Sequence, residues 1–410
     1  MTELEAALPA QLVDLKRTRA STCVGLLVGL AFVLLSACNE ESEGERELAR
    51  FTFISELVTA AEAPAKLAVA PDGRLFYSEY ITGNIRIISA DGQLLKEPFA
   101  HVEVAEYVLD DGRQIWGLFG LTFDPEFDKN HYVYAYLMSP AAGGGQATVI
   151  RFTDIDNRGT DSTVILGDLP ETNATPHVGG NVLFGPDGHL YVSLGDFSPG
   201  YSPDDRPHDV SFLEGKILRV DKADGSAPAD NPFVGMLEAD PRIFAYGFRN
   251  VFDFTFHPVT GRIYANDNGL FDCDELSVVD EGKDYGWPAS HLVRLAPTFD
   301  KDAPCSNPDA VEPIYHYAAP GKKPQERTSN VGPTGVEFLS ERGDLLLTCE
   351  VNTGFMRLLL LEGPDYDEVK GDRVIAEDCR LDIARAPDGT IYYSNFEEIR
   401  RLVPEPVSGP

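Results

Sequence analysis

Proton chemistry in this sequence points first to His177, in the stretch "TPHVGGNVLFGPDGHLYVSLGD" at residues 175–196. An imidazole titrates near neutrality, so a neutral histidine is equipped to take a hydroxyl proton as a general base. Gly179 and Gly180 follow it without side chains, which lets a flat ligand or another backbone come close. A Pro-Asp-Gly turn flanked by alternating apolar residues comes next. His177 is therefore expected where a loop enters a hairpin.

The cysteines carry a second chemistry. Lys16, Arg17 and Arg19 precede an apolar run from Cys23 to Leu35, and Leu35-Ser36-Ala37-Cys38 closes it. This resembles a bacterial lipoprotein signal, in which cleavage ahead of Cys38 frees its thiol to carry diacylglycerol and its amine for acylation. Residues 20–39 carry no charge, so an uncleaved membrane span is the competing expectation. Residues 1–37 thus read as a signal peptide and 38–50 as an acidic tether. The mature protein is expected outside the cytoplasm, lipid-anchored to a bacterial membrane and facing the periplasm or the exterior. Cys273, Cys305, Cys349 and Cys379 remain, an even number with no C-x-x-C spacing, which favours disulfides over zinc. Sequence neighbours favour Cys273 with Cys305 and Cys349 with Cys379, and the other two connectivities stay open.

The elements that must position these residues repeat. Segments such as "VAPDGRLFYSEY", "FGPDGHLYVSLGD" and "RAPDGTIYYSNF" each place a turn ahead of alternating apolar and polar residues, the pattern of a hairpin. Taking Pro71, Pro125, Pro186, Pro258, Ser340 and Pro387 as equivalent gives spacings of 54, 61, 72, 82 and 47 residues. Those are blade lengths with loop insertions. The expectation is an all-β, six-bladed β-propeller over residues 51–405, with the N-terminal strand near Phe51 completing the last blade. Chemistry in such a fold collects where loops converge over the channel. With 43% hydrophobic residues the chain has ample material for a core. Its 66 acidic against 34 basic residues, a net charge of −32, repel phosphate backbones and anionic headgroups, so no nucleic acid is expected and membrane contact runs through the lipid alone.

Residues 243–288 carry a family pattern: Tyr246 to Asn250, Gly269, Asp274 to Leu276 and Asp284 to Pro288. This resembles the glucose and sorbosone dehydrogenase family, the soluble aldose dehydrogenases that use pyrroloquinoline quinone (PQQ). The resemblance covers nearly the whole mature chain. It implies oxidation of an aldose sugar or related alcohol, with electrons passing to an acceptor not identifiable from the sequence. His177 falls on the family's catalytic histidine, and Arg249 and Asn250 on a pair that contacts PQQ. Gly269 and Leu270 fall on the two carbonyls that hold the cofactor calcium, and Glu275 and Tyr285 lie where a second, structural calcium is bound. Asp382 remains from an Arg-x-Arg-Asp cofactor-binding element whose arginines are here Cys379 and Leu381, with Arg380 one residue off register. A further family lysine aligns with Val351 or Asn352. These departures keep open a non-redox propeller that binds a carbohydrate or protein partner and, as a third expectation, a calcium-dependent lactonase or esterase.

Overall fold

The computed structural model describes residues 43–107, 116–173, 177–198, 205–269, 273–288, 309–317 and 331–405. Its recurrent unit follows from local turn chemistry. Gly73, Gly188, Gly261, Gly343 and Gly389 close five of the repeated turns with φ of 86°, 80°, 73°, 77° and 89°, a region that other residues enter only with strain. Asp72, Asp187 and Asp388 fold back to accept hydrogen bonds from the N–H groups of Arg74, His189 and Thr390 at 3.1, 3.1 and 2.9 Å, which fixes the chain reversal.

A short helix, α1 (Glu43–Leu48), and strand β1 (Phe53–Ala60) lead into six antiparallel sheets. Blade 1 holds β2 (Pro64–Val69), β3 (Leu75–Glu79), β4 (Asn84–Ile88) and β5 (Ala100–His101). Blade 2 holds β6 (Leu118–Phe123), β7 (Tyr132–Ala141), β8 (Gly144–Ile155), β9 (Arg158–Leu166) and β10 (Glu171–Thr172), the last two both pairing with β8. In that blade a helical turn, α2 (Phe127–Asn130), replaces the glycine turn. Blade 3 holds β11 (Val182–Phe184), β12 (Leu190–Leu194), β13 (Lys216–Val220) and β14 (Ile243–Tyr246). Blade 4 holds β15 (Val251–Phe256), β16 (Ile263–Asp267), β17 (Glu275–Val279) and β18 (Tyr315–His316). Blade 5 holds β19 (Pro333–Phe338), β20 (Leu345–Glu350), β21 (Phe355–Glu362) and β22 (Glu368–Glu377). Blade 6 holds β23 (Ile383–Arg385), β24 (Ile391–Ser394) and β25 (Glu398–Pro404), completed by β1, whose Phe53 lies opposite Pro404. The expected six-bladed propeller, closed by its N-terminal strand, is what the chain forms.

Blades adhere through one repeated contact. A second-strand aromatic of one blade meets, edge-on, a phenylalanine two residues ahead of the next blade's turn: Phe76 with Phe123 at 5.0 Å, Tyr134 with Phe184 at 5.2 Å, Tyr191 with Phe256 at 5.1 Å and Tyr264 with Phe338 at 5.2 Å. Such pairs contribute roughly 0.5–1.5 kcal/mol each beyond their buried area. Hydroxyls add polar latches, with Ser78 Oγ donating to the Phe119 carbonyl and Ser394 Oγ to that of Pro64, both at 2.8 Å.

The channel is crossed by charge. Lys66, Asn181, Asp253 and Asp382 each stand five residues ahead of their turn's proline. Lys66 Nζ donates to Asp253 Oδ1 at 2.9 Å and to Asp382 Oδ1 at 3.0 Å. Asn181 also donates to Asp253, and the Leu67 and Val336 N–H groups satisfy the second oxygens of Asp382 and Asp253 at 2.7 and 2.9 Å. Lys66 and Asp253 belong to opposite blades of the ring, so the cluster spans the axis. The expected tether also ends sooner than its composition suggests. Residues 43–48 are helical, Leu48 is fully buried among blade 5 and 6 residues, and a Cβ on Gly44 would stand 2.7 Å from the Lys370 carbonyl oxygen.

Candidate active site at the channel mouth

His177 lies ahead of β11, at the end of the propeller opposite the Pro-Asp-Gly turns. The β11–β12 register, Val182 opposite Val192, continues outward to bring His177 beside Asp196. Nδ1 of His177 is 3.1 Å from Asp196 Oδ1, and Nε2 is 2.9 Å from Arg249 Nη2. A carboxylate only accepts and a guanidinium only donates, so the proton is on Nδ1 and the lone pair on Nε2. Burial lowers the imidazole pKa most, the Arg249 charge lowers it further, and Asp196 pulls the other way. The ring is neutral at pH 7.

Each partner is itself held. Asp196 is 1% exposed, and it also accepts from the Ser198 N–H at 3.1 Å and from Trp287 Nε1 at 2.9 Å. Arg249 lies over the Trp287 ring, 5.4 Å from its centre, and Nη1 donates to the carbonyls of Asn268 and Gly269 at 2.8 and 3.0 Å. The backbone N–H groups of Arg249 and Asn250 converge on Asp267, at 3.0 and 2.6 Å, and burial pushes that carboxyl up to about 6. Asn250 Oδ1 accepts from the Gly179 N–H at 3.0 Å. The two glycines make room for backbone rather than for a ligand: Gly179 has φ 78°, its Cβ would sit 2.3 Å from the Ser193 carbonyl oxygen, and that of Gly180 would sit 3.0 Å from the Phe252 carbonyl oxygen.

Of the residues expected to act, His177, Arg249, Asn250 and Gly269 are brought together. Leu270, Cys38 and Cys305 lie outside the described residues. Asp382 is elsewhere, with both oxygens committed to Lys66 and the Leu67 N–H. Tyr285 uses its hydroxyl inside blade 4, donating to the Val278 carbonyl at 2.9 Å and accepting from the Asp280 N–H at 2.8 Å, with its ring stacked on Phe248. Glu275 is buried, 3.7 Å from His316 Nδ1. Among the described residues no three or more His, Cys, Asp or Glu side chains are arranged to hold a metal ion. Asp196, Asp267 and Asn268 are site residues that the sequence did not mark, and Trp287 stood inside the Asp284 to Pro288 pattern without a role.

The donor set fits calcium and a polycarboxylate on one side of the mouth only. The carbonyl oxygens of Asn268 and Gly269 are hard ligands, and Arg249 is a natural carboxylate partner. On the blade 5 and 6 side, Cys349 and Cys379 form a disulfide, and the nearby Arg380 spends Nη1 on the Val351 carbonyl at 2.6 Å. Cys273 is also disulfide-bonded.

Residues 61–402 match the family model Glucose / Sorbosone dehydrogenase. An uncharacterized protein of Synechocystis is 29% identical over 350 residues, covering 82% of each chain. Quinoprotein glucose dehydrogenase B of Acinetobacter calcoaceticus is 29% identical over 252 residues, 55% of this chain and 50% of that one. The PQQ-bound aldose sugar dehydrogenase of Streptomyces coelicolor superposes with a TM-score of 0.66 at 20% identity, over 86% of this chain and 98% of that one, and shares the fold.

Proposed function

This chain belongs to the glucose/sorbosone dehydrogenase family, and from that premise we propose that it oxidises an aldose or related alcohol with PQQ and calcium. The observation that carries the reading is the neutral His177, its Nε2 lone pair accepting from Arg249 and its Nδ1–H fixed by Asp196. When bound, PQQ supplies the two-electron acceptor. Arg249 and Asn250 would hold it, and the Gly269 carbonyl, released from Arg249 Nη1, would hold the calcium with that of Leu270, as the family resemblance implies. His177 takes the substrate hydroxyl proton at Nε2, which requires the substrate to replace the Arg249 hydrogen bond there. Asp196 then faces an imidazolium, a charge pair that favours the proton's arrival. Trp287 keeps Asp196 and Arg249 in register from below.

The test is calorimetric titration of the mature chain with PQQ in the presence of calcium, followed by dye-linked oxidation of a panel of aldoses. Binding at or below tens of micromolar is expected. Arg249→Ala should weaken it by roughly 10- to 100-fold, the loss of one charge-assisted contact. No binding at tens of micromolar in the wild type refutes the dehydrogenase reading. The valine, cysteine and leucine at the family's cation positions favour the second reading, a propeller that binds a carbohydrate without redox chemistry. The proposal for location is a lipid on Cys38: metabolic labelling with a fatty acid should mark the wild type and not Cys38→Ala.

A further inference from the structure

The charged cluster of Lys66, Asn181, Asp253 and Asp382 divides the channel. On the side away from His177, a cavity of about 730 Å³ opens at the Pro-Asp-Gly turns, within the range of roughly 300–1,000 Å³ typical of small-molecule sites. Residues three ahead of Pro125, Pro186, Pro258 and the equivalent Ser340 share a strand face with the positions five ahead, and they line this cavity: Thr122, Leu183, Thr255 and Glu337.

Thr122 and Thr255, 8% and 6% exposed, line the cavity. Glu337 accepts one bond, from the Phe338 N–H at 2.7 Å. Burial pushes its carboxyl up to about 7 against the pull of the nearby Arg385 charge. Arg385 gives one terminal nitrogen to Glu341, while its buried Nε has no partner. A buried polar group left unpaired costs roughly 1–3 kcal/mol. The cavity therefore offers two adaptable hydroxyls, one acceptor and one donor, beside the apolar wall of Leu183.

We infer that this lower mouth is a second binding site, for a small polyhydroxylated molecule of monosaccharide size, separate from the His177 site. A sugar or polyol fits because each hydroxyl both donates and accepts, so neighbouring hydroxyls can meet Glu337 and Arg385 together. A cationic ligand would face Arg385 and Lys66, and an anionic one Glu337, Asp253 and Asp382.

The test uses the mature chain without PQQ, so its outcome is independent of the dehydrogenase reading. D-glucose and myo-inositol are titrated separately by calorimetry and ligand-observed NMR, against wild type, His177→Ala, Glu337→Gln and the near-isosteric Thr255→Val. The expected result is saturable binding of at least one probe, unchanged in His177→Ala and weakened roughly tenfold or more in Glu337→Gln and Thr255→Val. Thermal melts of each variant separate a lost contact from a lost fold. The inference is overturned if neither probe saturates by about 100 mM, if His177→Ala abolishes binding, or if both folded lower-mouth variants bind as wild type does.

Discussion

Asp196→Asn isolates the step on which the proposed chemistry depends. Asp196 Oδ1 accepts from His177 Nδ1 and the Ser198 N–H, and Oδ2 from Trp287 Nε1. An amide can satisfy only one side. If its oxygen faces His177, its NH2 group opposes the Trp287 N–H, a buried donor–donor conflict costing about 1–3 kcal/mol. If its NH2 group faces His177, the imidazole must carry its proton on Nε2, where it opposes Arg249 and cannot accept a substrate proton. Either orientation also removes the carboxylate that would face an imidazolium across 3.1 Å, an interaction of ~5 kcal/mol at an effective dielectric of about 20. A net loss of roughly 3–5 kcal/mol corresponds to about 10²- to 10⁴-fold in turnover. Dye-linked turnover of the reconstituted enzyme reads the first consequence, and 15N shifts of the His177 ring in the unloaded protein read the tautomer. Turnover within roughly threefold of wild type, with the Nδ1–H tautomer retained, would refute the reasoning.

Lys66→Met should destabilise by about 3–5 kcal/mol, because Asp253 and Asp382, each with a side chain 2% exposed, lose their shared ammonium; burial pushes the Asp382 carboxyl up to about 7, so denaturant melts should show a larger loss at pH 8, where Asp382 is charged, than at pH 5.5, where it is protonated. Replacing both Cys349 and Cys379 by serine opens a crosslink of sequence separation 30 and should cost about 3–4 kcal/mol by chain entropy, read in the same melts without reductant. Glu337 has its folded pKa raised to about 7, with Arg385, Lys66 and Asp253 as the charges facing it. Its stabilising share is complete below the unfolded value and is lost as pH rises through the folded one. Wild type should therefore gain stability from pH 8 to pH 6, and Glu337→Gln should melt about 2–4 °C higher than wild type at pH 8.

The propeller was legible because its signals are local: a proline and a glycine fix each turn, and alternation fixes each strand. Asp196 was legible in principle, since a hairpin turning at Pro186 to Gly188 sends residue 177 toward 196, and only the register had to be extended. Asp382 was placed at the cofactor by its motif, yet it stands five residues ahead of Pro387, as Lys66, Asn181 and Asp253 stand ahead of theirs. That shared register, rather than the motif, tells which way it points. The contact of Lys66 with Asp382 spans 316 residues, and no local pattern carries it. The clamp of Asp267 on the Arg249 and Asn250 N–H groups depends on how β16 meets the loop ahead of β15, which is a matter of tertiary packing. The glycines beside His177 read as room for a ligand or for another backbone, and the neighbouring strands fill that room with backbone.

The most direct test of the central claim is a single turnover: enzyme loaded with PQQ and calcium is mixed with an aldose, and bleaching of the oxidised cofactor is followed by stopped-flow absorbance. The account predicts bleaching by at least one aldose in the wild type. In His177→Ala the same step should be slower by about 100-fold or more, with PQQ affinity unchanged. Bound PQQ that no aldose reduces, or equal rates in the two proteins, would contradict it.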